Sequence, residues 1–364
     1  MKITTIFGTR PEIIRLSRII PLLDQFADHR LVHTGQNFDP QLSDVFFREL
    51  GVRTPDVHFE AGQAAGFAAQ AASILEKTGE LLARDRPDRV LILGDTNSGL
   101  ASIVAARAGI PVFHMEAGNR CYDDRVPEEI NRRVIDHSST VLLPYTQRSK
   151  DNLVREGIER ERIFVTGNPI FEVLQHFEPQ ISASTVLRQF GVADRGYFLV
   201  TLHRAENVDE APRLAQLLEA LAAAGREHRL PVLVSVHPRT ADKMEQFGLD
   251  GAGLRLLAPL GFFDFVTLEK HARAVLSDSG TVQEECAIYR VPNVTLRDVT
   301  ERAETLECGS NMLSGAGPDD VRRALKMALE TNADWEAPPE YRVPHVSRTI
   351  AKIVLGRTTV KSYR

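Results

Sequence analysis

At 364 residues the chain is too long for one ordinary core and about right for two domains. Its 43% hydrophobic and 26% charged content is that of a soluble globular protein. A net charge of −5 argues against a nucleic-acid binder, because no face can be strongly basic without a very acidic one elsewhere.

In chain order, the first apolar run is too short for a signal peptide, and no stretch approaches the roughly 20 apolar residues of a membrane span. Three cysteines without metal-type spacing (Cys121, Cys286, Cys308) fit a reducing compartment. A cytoplasmic protein with no membrane partner is expected. Strands are predicted at 3–7, 31–33, 90–93, 112–113, 141–142 and 163–165, with helices at 67–82 and 100–108. A second series has strands at 197–202, 232–236, 254–257, 274–277 and 293–296, and helices at 213–224 and 262–270. Alternating β and α implies an α/β fold of two Rossmann-like, doubly wound parallel sheets with ligands at the carboxyl ends of strands. The polar break at 178–184, with Pro179 and two serines, reads as their connection, giving domains 1–178 and 179–364. The segment 343–355 reads as a helix that can pack back on the N-terminal domain.

Each strand end carries a candidate. Gly8-Thr9-Arg10-Pro11-Glu12 joins strand to helix, and its glycine, helix N-terminus and Arg10 suit a phosphate; an ordinary turn with an exposed arginine is the alternative. Arg15 lies near the same helix face. Asp95, in Gly94-Asp95-Thr96, is a helix N-cap or a base. The segment from His114 to Arg133 holds Glu116 at a strand's end and Glu128 and Glu129 behind Pro127 at a helix start. With Arg120, Arg125, Arg132 and Arg133 among them, it suits proton chemistry on a phosphorylated molecule, or forms a salt-bridged turn. His203 at a strand terminus beside Arg204 can stabilise a leaving phosphate or be a plain loop histidine. Ser277-Asp278-Ser279-Gly280-Thr281 offers N–H groups and hydroxyls to a diphosphate, and Glu285, one turn on, can accept both hydroxyls of a ribose. Arg297 to Arg302 can supply another anion contact, and Pro259 to Phe265 is an aromatic turn able to hold a base, although three phenylalanines suit a core as well.

Taken together these motifs resemble, over nearly the full length, the non-hydrolysing UDP-N-acetylglucosamine 2-epimerase family. The resemblance is carried by Gly8 to Glu12, His33-Thr-Gly-Gln36, Gly94-Asp-Thr96, Glu116-Ala-Gly118, Pro127 to Arg132, Thr166-Gly-Asn168, His203-Arg204, Ser277 to Gly280 with Gln283-Glu-Glu285, and Arg297 to Arg302. It implies a GT-B-like pair of domains with a cleft between them, closing on UDP, usually as a homodimer. It also implies C2 epimerisation by anti-elimination of UDP to a 2-acetamidoglucal and re-addition, for surface polysaccharide precursors, with no metal and no cofactor. Carried over by position, Asp95, Glu116, Glu128 and His203 would be catalytic. Arg10, Arg15, Ser279, Gly280, Thr281, Glu285 and Arg302 would hold UDP, and Leu260 and Phe265 would border the uracil.

The chain departs from the family pattern in places. Arg15 stands for the usual lysine, Thr281 for a second glycine and Leu260 for a common glutamine. Gln36-Asn37-Phe38-Asp39 lacks the polar run that many bacterial members use for an allosteric substrate molecule, so hyperbolic kinetics are expected. The stretch Asn119 to Val126 resembles the subgroup acting on modified UDP-2-acetamido sugars. A GT-B glycosyltransferase, or a non-catalytic UDP-sugar binder, remains the alternative from another class.

Overall fold

The computed structural model describes residues 1–36, 40–64, 66–331 and 333–357, so Asn37, Phe38 and Asp39 lie outside the described residues. Among the described residues twelve strands form two sheets. The first six are β1 (Lys2–Phe7), β2 (Asp28–His33), β3 (Val57–His58), β4 (Arg89–Leu93), β5 (Val112–Met115) and β6 (Val141–Leu143). The others are β7 (Phe198–Leu202), β8 (Val232–Val236), β9 (Arg255–Leu257), β10 (Ala274–Ser277), β11 (Asn293–Thr295) and β12 (Asn311–Leu313). All pairs are parallel. The sheet orders are β3-β2-β1-β4-β5-β6 and β12-β11-β10-β7-β8-β9, each the Rossmann order. Each sheet therefore has a switch point, between β1 and β4 and between β7 and β10, where loops leave in opposite directions and open a crevice. The two units are of GT-B type.

Central strands are apolar throughout because helices cover both faces; all five residues of β4 are buried. In the second unit the helices Ala211–His228 and Pro318–Glu330 cover one face, and Phe262–Lys270 with Gly280–Tyr289 cover the other. Two edge strands escaped the apolar-run reading: β3 has two residues, and β12 opens on an asparagine. The run 163–165, expected as a strand, meets β6 through a single bridge between Leu142 and Ile163. Phe164 within it is 39% exposed.

The first compact unit comprises Met1–Leu174 and the described residues from Glu340 onward; the second is Gln175–Pro339. The division falls after Leu174 rather than after 178 because Phe177 packs edge-on against Phe262 and tilted against Phe263, at ring distances of 6.4 and 5.5 Å. The polar break expected at 178–184 is the helix Glu178–Ala183, whose Ile181 carbonyl accepts from Thr267 Oγ1 at 2.8 Å. The helix Val346–Leu355 buries Val346, Ile350 and Val354 in the first unit. Ser347 fastens it there through Glu172, which accepts from its N–H (2.8 Å) and its hydroxyl (2.6 Å). No described helix is long and apolar enough to cross a membrane.

Candidate active site

In the first unit the candidates gather beyond the ends of β1, β4 and β5. Gly8 is closely hemmed in, since a Cβ there would lie 2.1 Å from Thr34 Oγ1 and 2.3 Å from Ser98 Oγ. The helix Arg10–Leu16 starts with Pro11 in its first turn, and Glu12 folds back to accept from the N–H groups of Gly8 (2.5 Å) and Thr9 (2.9 Å). Its other oxygen accepts from Thr96 Oγ1 at 2.7 Å, so Glu12 clamps the β1 turn to the β4 turn. Burial outweighs these donors and, with Asp95 nearby, pushes Glu12 up to about 7.

Leu93 pairs with Met115, so Asp95 and Glu116 leave neighbouring strand ends. Asp95 Oδ2 lies 2.8 Å from Arg132 Nε, and Glu116 Oε2 lies 3.8 Å from Arg15 Nη1. Glu116 also accepts from Asn119 (3.3 Å) and from the Tyr145 hydroxyl (3.4 Å). Its φ of +65° is the left-handed backbone region, a strained conformation concentrated at functional positions. Arg10 stacks over Phe46, 5.7 Å from the ring centre.

The helix Pro127–Ser138 splits its two leading glutamates between solvent and core. Glu128 is half-buried in the first turn, whereas Glu129 is fully buried. Glu129 accepts from the N–H groups of Cys121 and Tyr122, both at 3.1 Å, and from Arg132 at 2.7 Å. Despite its burial, these donors hold it below the usual carboxylate range. Two residues on, Asn131 donates to the Asp95 carbonyl at 3.0 Å, which ties this helix to the β4 turn.

Sequence reasoning left His114, Glu12 and Asp136 without roles. His114 spans 2.8 Å to Asp136 Oδ1 and 2.8 Å to the Gly94 carbonyl, locking β4 to β5 where Asp95 and Glu116 emerge. Asp136 is fully buried, yet His114 and Arg120 (2.8 Å) hold it below the ordinary range. The available signal was position: His114 stands two residues before Glu116, and Asp136 one helical turn after Arg132.

In the second unit the candidates collect beyond β7, β10 and β11. Asp278 is fully buried, and its carboxylate accepts from the backbone N–H groups of His203 (3.0 Å) and Arg204 (2.9 Å). His203 Nδ1 lies 3.1 Å away, and against the cost of burial these partners hold Asp278 far below the usual range. Asp278 is thus the anchor of the β7 turn. Ser279 precedes the helix Gly280–Tyr289, and its hydroxyl bonds Thr281 Oγ1 at 3.0 Å rather than a helix N–H. A Cβ on Gly280 would lie 2.7 Å from Glu301 Oε1.

Arg302 is buried and donates from Nε to Glu284 at 2.5 Å. Arg297, also buried, donates to Glu301 at 2.9 Å, with Arg204 3.7 Å from the same carboxylate. Three arginines and two glutamates therefore sit around the start of the Gly280 helix. Glu285 is buried one turn into that helix. Leu260 and Phe265 are half-buried and pack on the core beneath it. Each unit thus assembles its own candidates; no group of described residues is arranged to hold a metal ion.

Known proteins share this arrangement. The sequence pattern of the family described as UDP-N-acetylglucosamine 2-epimerase matches residues 23–355. The UDP-N-acetylglucosamine 2-epimerase of Methanocaldococcus jannaschii is 39% identical over 93% of this chain and 95% of its own. The crystal structure of the M. jannaschii enzyme in complex with UDP-GlcNAc and UDP superposes with a TM-score of 0.92 at 37% identity, covering 98% of this chain and 99% of that one. The UDP-2,3-diacetamido-2,3-dideoxy-D-glucuronate 2-epimerase of Pseudomonas aeruginosa is 36% identical over 90% of this chain and 92% of its own. Paired sheets in Rossmann order, acids at the ends of β4 and β5 and near full-length likeness to such enzymes lead to one conclusion: this chain belongs to the UDP-N-acetylglucosamine 2-epimerase family.

Proposed function

We propose that this protein inverts C2 of a UDP-2-acetamido sugar, with UDP-N-acetylglucosamine as the substrate and UDP-N-acetylmannosamine as the product. The observation that carries the reading is the emergence of Asp95 and Glu116 from neighbouring strand ends, each beside an arginine. A base takes the C2 proton while the C1–O bond to UDP breaks, leaving a 2-acetamidoglucal. UDP then re-adds at C1 as C2 receives a proton on its opposite face. Working on two faces needs more than one acid–base group, the part assigned to Asp95, Glu116 and Glu128. UDP leaves as a stable anion, so the elimination calls for neither metal nor nicotinamide.

Arg10, Arg15, Ser279, Gly280, Thr281, Glu285 and Arg302 are assigned to UDP, and Leu260 and Phe265 to the edge of its uracil. His203, whose Nδ1 lies 3.1 Å from Asp278, is assigned to stabilise charge developing on the departing diphosphate. A cytoplasmic homodimer supplying surface polysaccharide precursors completes the reading. Ile130 and Val134, one turn apart and exposed on the helix Pro127–Ser138, offer such a dimer an apolar patch.

Incubation with UDP-N-acetylglucosamine alone in D2O tests the reaction: deuterium should enter C2 and the manno epimer should appear. An unlabelled, unchanged sugar sinks the proposal. The likeness to the Pseudomonas enzyme supports a second reading, a diacetamido-uronic substrate. Comparing kcat/KM over both UDP sugars decides between the two.

A further inference from the structure

The two turns that carry Asp95 and Glu116 are held from beneath by one pair of buried side chains. Asp136 lies on the helix Pro127–Ser138, and His114 on β5, two residues before Glu116. Their bond spans 2.8 Å, between His114 Nδ1 and Asp136 Oδ1. Each partner then reaches one of the turns. His114 Nε2 lies 2.8 Å from the Gly94 carbonyl, immediately before Asp95. The Gly94 N–H donates to the Met115 carbonyl at 3.0 Å, so this residue is fastened to β5 on both sides. Asp136 Oδ2 accepts from the Gly118 N–H at 3.1 Å, two residues after Glu116. His114 and Gly118 therefore bracket Glu116, whose left-handed backbone persists only where its surroundings fix it.

The same partners fix the protons. A carbonyl only accepts, so Nε2 of His114 carries a hydrogen. Asp136 Oδ2 faces two donors, the Gly118 N–H and Arg120 at 2.8 Å. Against the cost of burial, His114 and then Arg120 hold this carboxyl below its ordinary range. It is thus a carboxylate, and Nδ1 of His114 carries a hydrogen as well. Arg120 is in turn shared with Glu156, at 2.8 and 2.6 Å, so the charges alternate in sign from His114 outward.

We propose that Asp136 and His114 are positioning residues for the reaction: together they set the spacing of the Asp95 and Glu116 carboxylates about C2 of the sugar. The inference rests on the reading of Asp95 and Glu116 as groups that move the C2 proton. A displacement of about 1 Å at such groups costs on the order of a hundredfold in rate. Most of the groups assigned to UDP stand in the second unit, so loss of the pair should lower turnover and spare nucleotide affinity.

The test is turnover, read as deuterium entering C2 from D2O, with calorimetric affinity for UDP and melting temperature, in wild type, His114→Phe, Asp136→Ala and Asp136→Asn. His114→Phe keeps a ring without donors. Measured well below its melting temperature, it should lose about a hundredfold in turnover, with UDP affinity within a few-fold. Asp136→Ala should lose as much. Asp136→Asn should recover most of that loss even where its melting temperature stays low. Its amide oxygen still accepts from Gly118, and its amide nitrogen donates to a singly protonated His114 whose Nε2 hydrogen still reaches Gly94. Nitrogen NMR of labelled histidine should accordingly show both ring nitrogens of His114 protonated in wild type and only Nε2 in Asp136→Asn. A folded His114→Phe protein of near-normal turnover overturns the proposal, and so does a folded Asp136→Asn protein as slow as Asp136→Ala. If neither His114→Phe nor Asp136→Ala folds, the spectra decide: a wild-type His114 without a proton on Nε2 overturns it. Near-normal turnover in both Asp95→Asn and Glu116→Gln removes the reading of those acids, and this inference with it.

Discussion

Arg132 holds two carboxylates at once, Asp95 at 2.8 Å and Glu129 at 2.7 Å, but only Asp95 is partly exposed. That difference separates a residue available to substrate from one committed to the fold. Asp95→Asn, Glu116→Gln and Glu128→Gln should therefore each abolish epimerisation while leaving UDP affinity within a few-fold, as turnover assays and calorimetry would read. Near-normal turnover in Glu128→Gln would remove that residue from the mechanism. Arg302→Ala should weaken UDP binding by roughly 1.5–3 kcal/mol. It should also lower stability, because buried Glu284 loses its 2.5 Å partner. Unchanged UDP affinity would place the nucleotide elsewhere.

Glu12 adds a pH effect. Its folded value of about 7 lies above the ordinary 4.5, so the folded chain holds this proton where an unfolded chain has released it. The contribution to stability is complete below 4.5 and is lost as pH rises through about 7. It amounts to at most roughly 3 kcal/mol. Denaturation across that range should show a shallower decline in Glu12→Gln than in wild type, and parallel curves would refute the assignment.

At the scale of elements, the β1 turn works because three pieces of chain meet at Gly8. Thr34 and Ser98 share a 2.7 Å hydrogen bond, and Gln36 accepts from Ser98 N–H at 3.1 Å. Gly8→Ala drives a methyl group into both hydroxyls and should cost about 1–3 kcal/mol by urea denaturation. A loss below a few tenths would mean that the turn yields. Strands made of continuous apolar residues were legible from sequence, because burial on both faces demands that composition. The edge strands β3 and β12 were not, since pairing on one side asks little of their side chains. The helices over 67–82 and 262–270 were legible for the converse reason: each keeps an apolar stripe, and they are observed as Gly66–Asp85 and Phe262–Lys270.

At the scale of the whole molecule, two sheets of the same order place their candidates at the same carboxyl ends, acids chiefly in the first unit and the arginine cluster in the second. The last described helix belongs with the first of these. Ile350→Asp should cost about 2–5 kcal/mol. Faster hydrogen exchange should then appear in the helix Ile20–Phe26, which the last helix touches, and not in the sheet of the second unit. Exchange accelerated only in Gln175–Pro339 would contradict that grouping.

The sequence by itself determined the alternation of strand and helix, the doubly wound class, the family, and the positions of Asp95, Glu116 and His203 at strand ends. These follow from composition and spacing within a few residues, where local propensity and the burial of a strand leave little choice. Tertiary structure alone decided which acid meets which base. Glu128 and Glu129 are neighbours in sequence, and a helix turns them to opposite environments. Asp278, legible only as one residue of a strand-to-helix turn, became the anchor of a turn 75 residues away. Glu269, a plain helical glutamate in sequence, is fully buried with its Oε1 3.5 Å from Cys286 Sγ of a second helix. Such pairings join residues distant in the chain, and their energy exists only once burial has removed the water that would otherwise satisfy each charge.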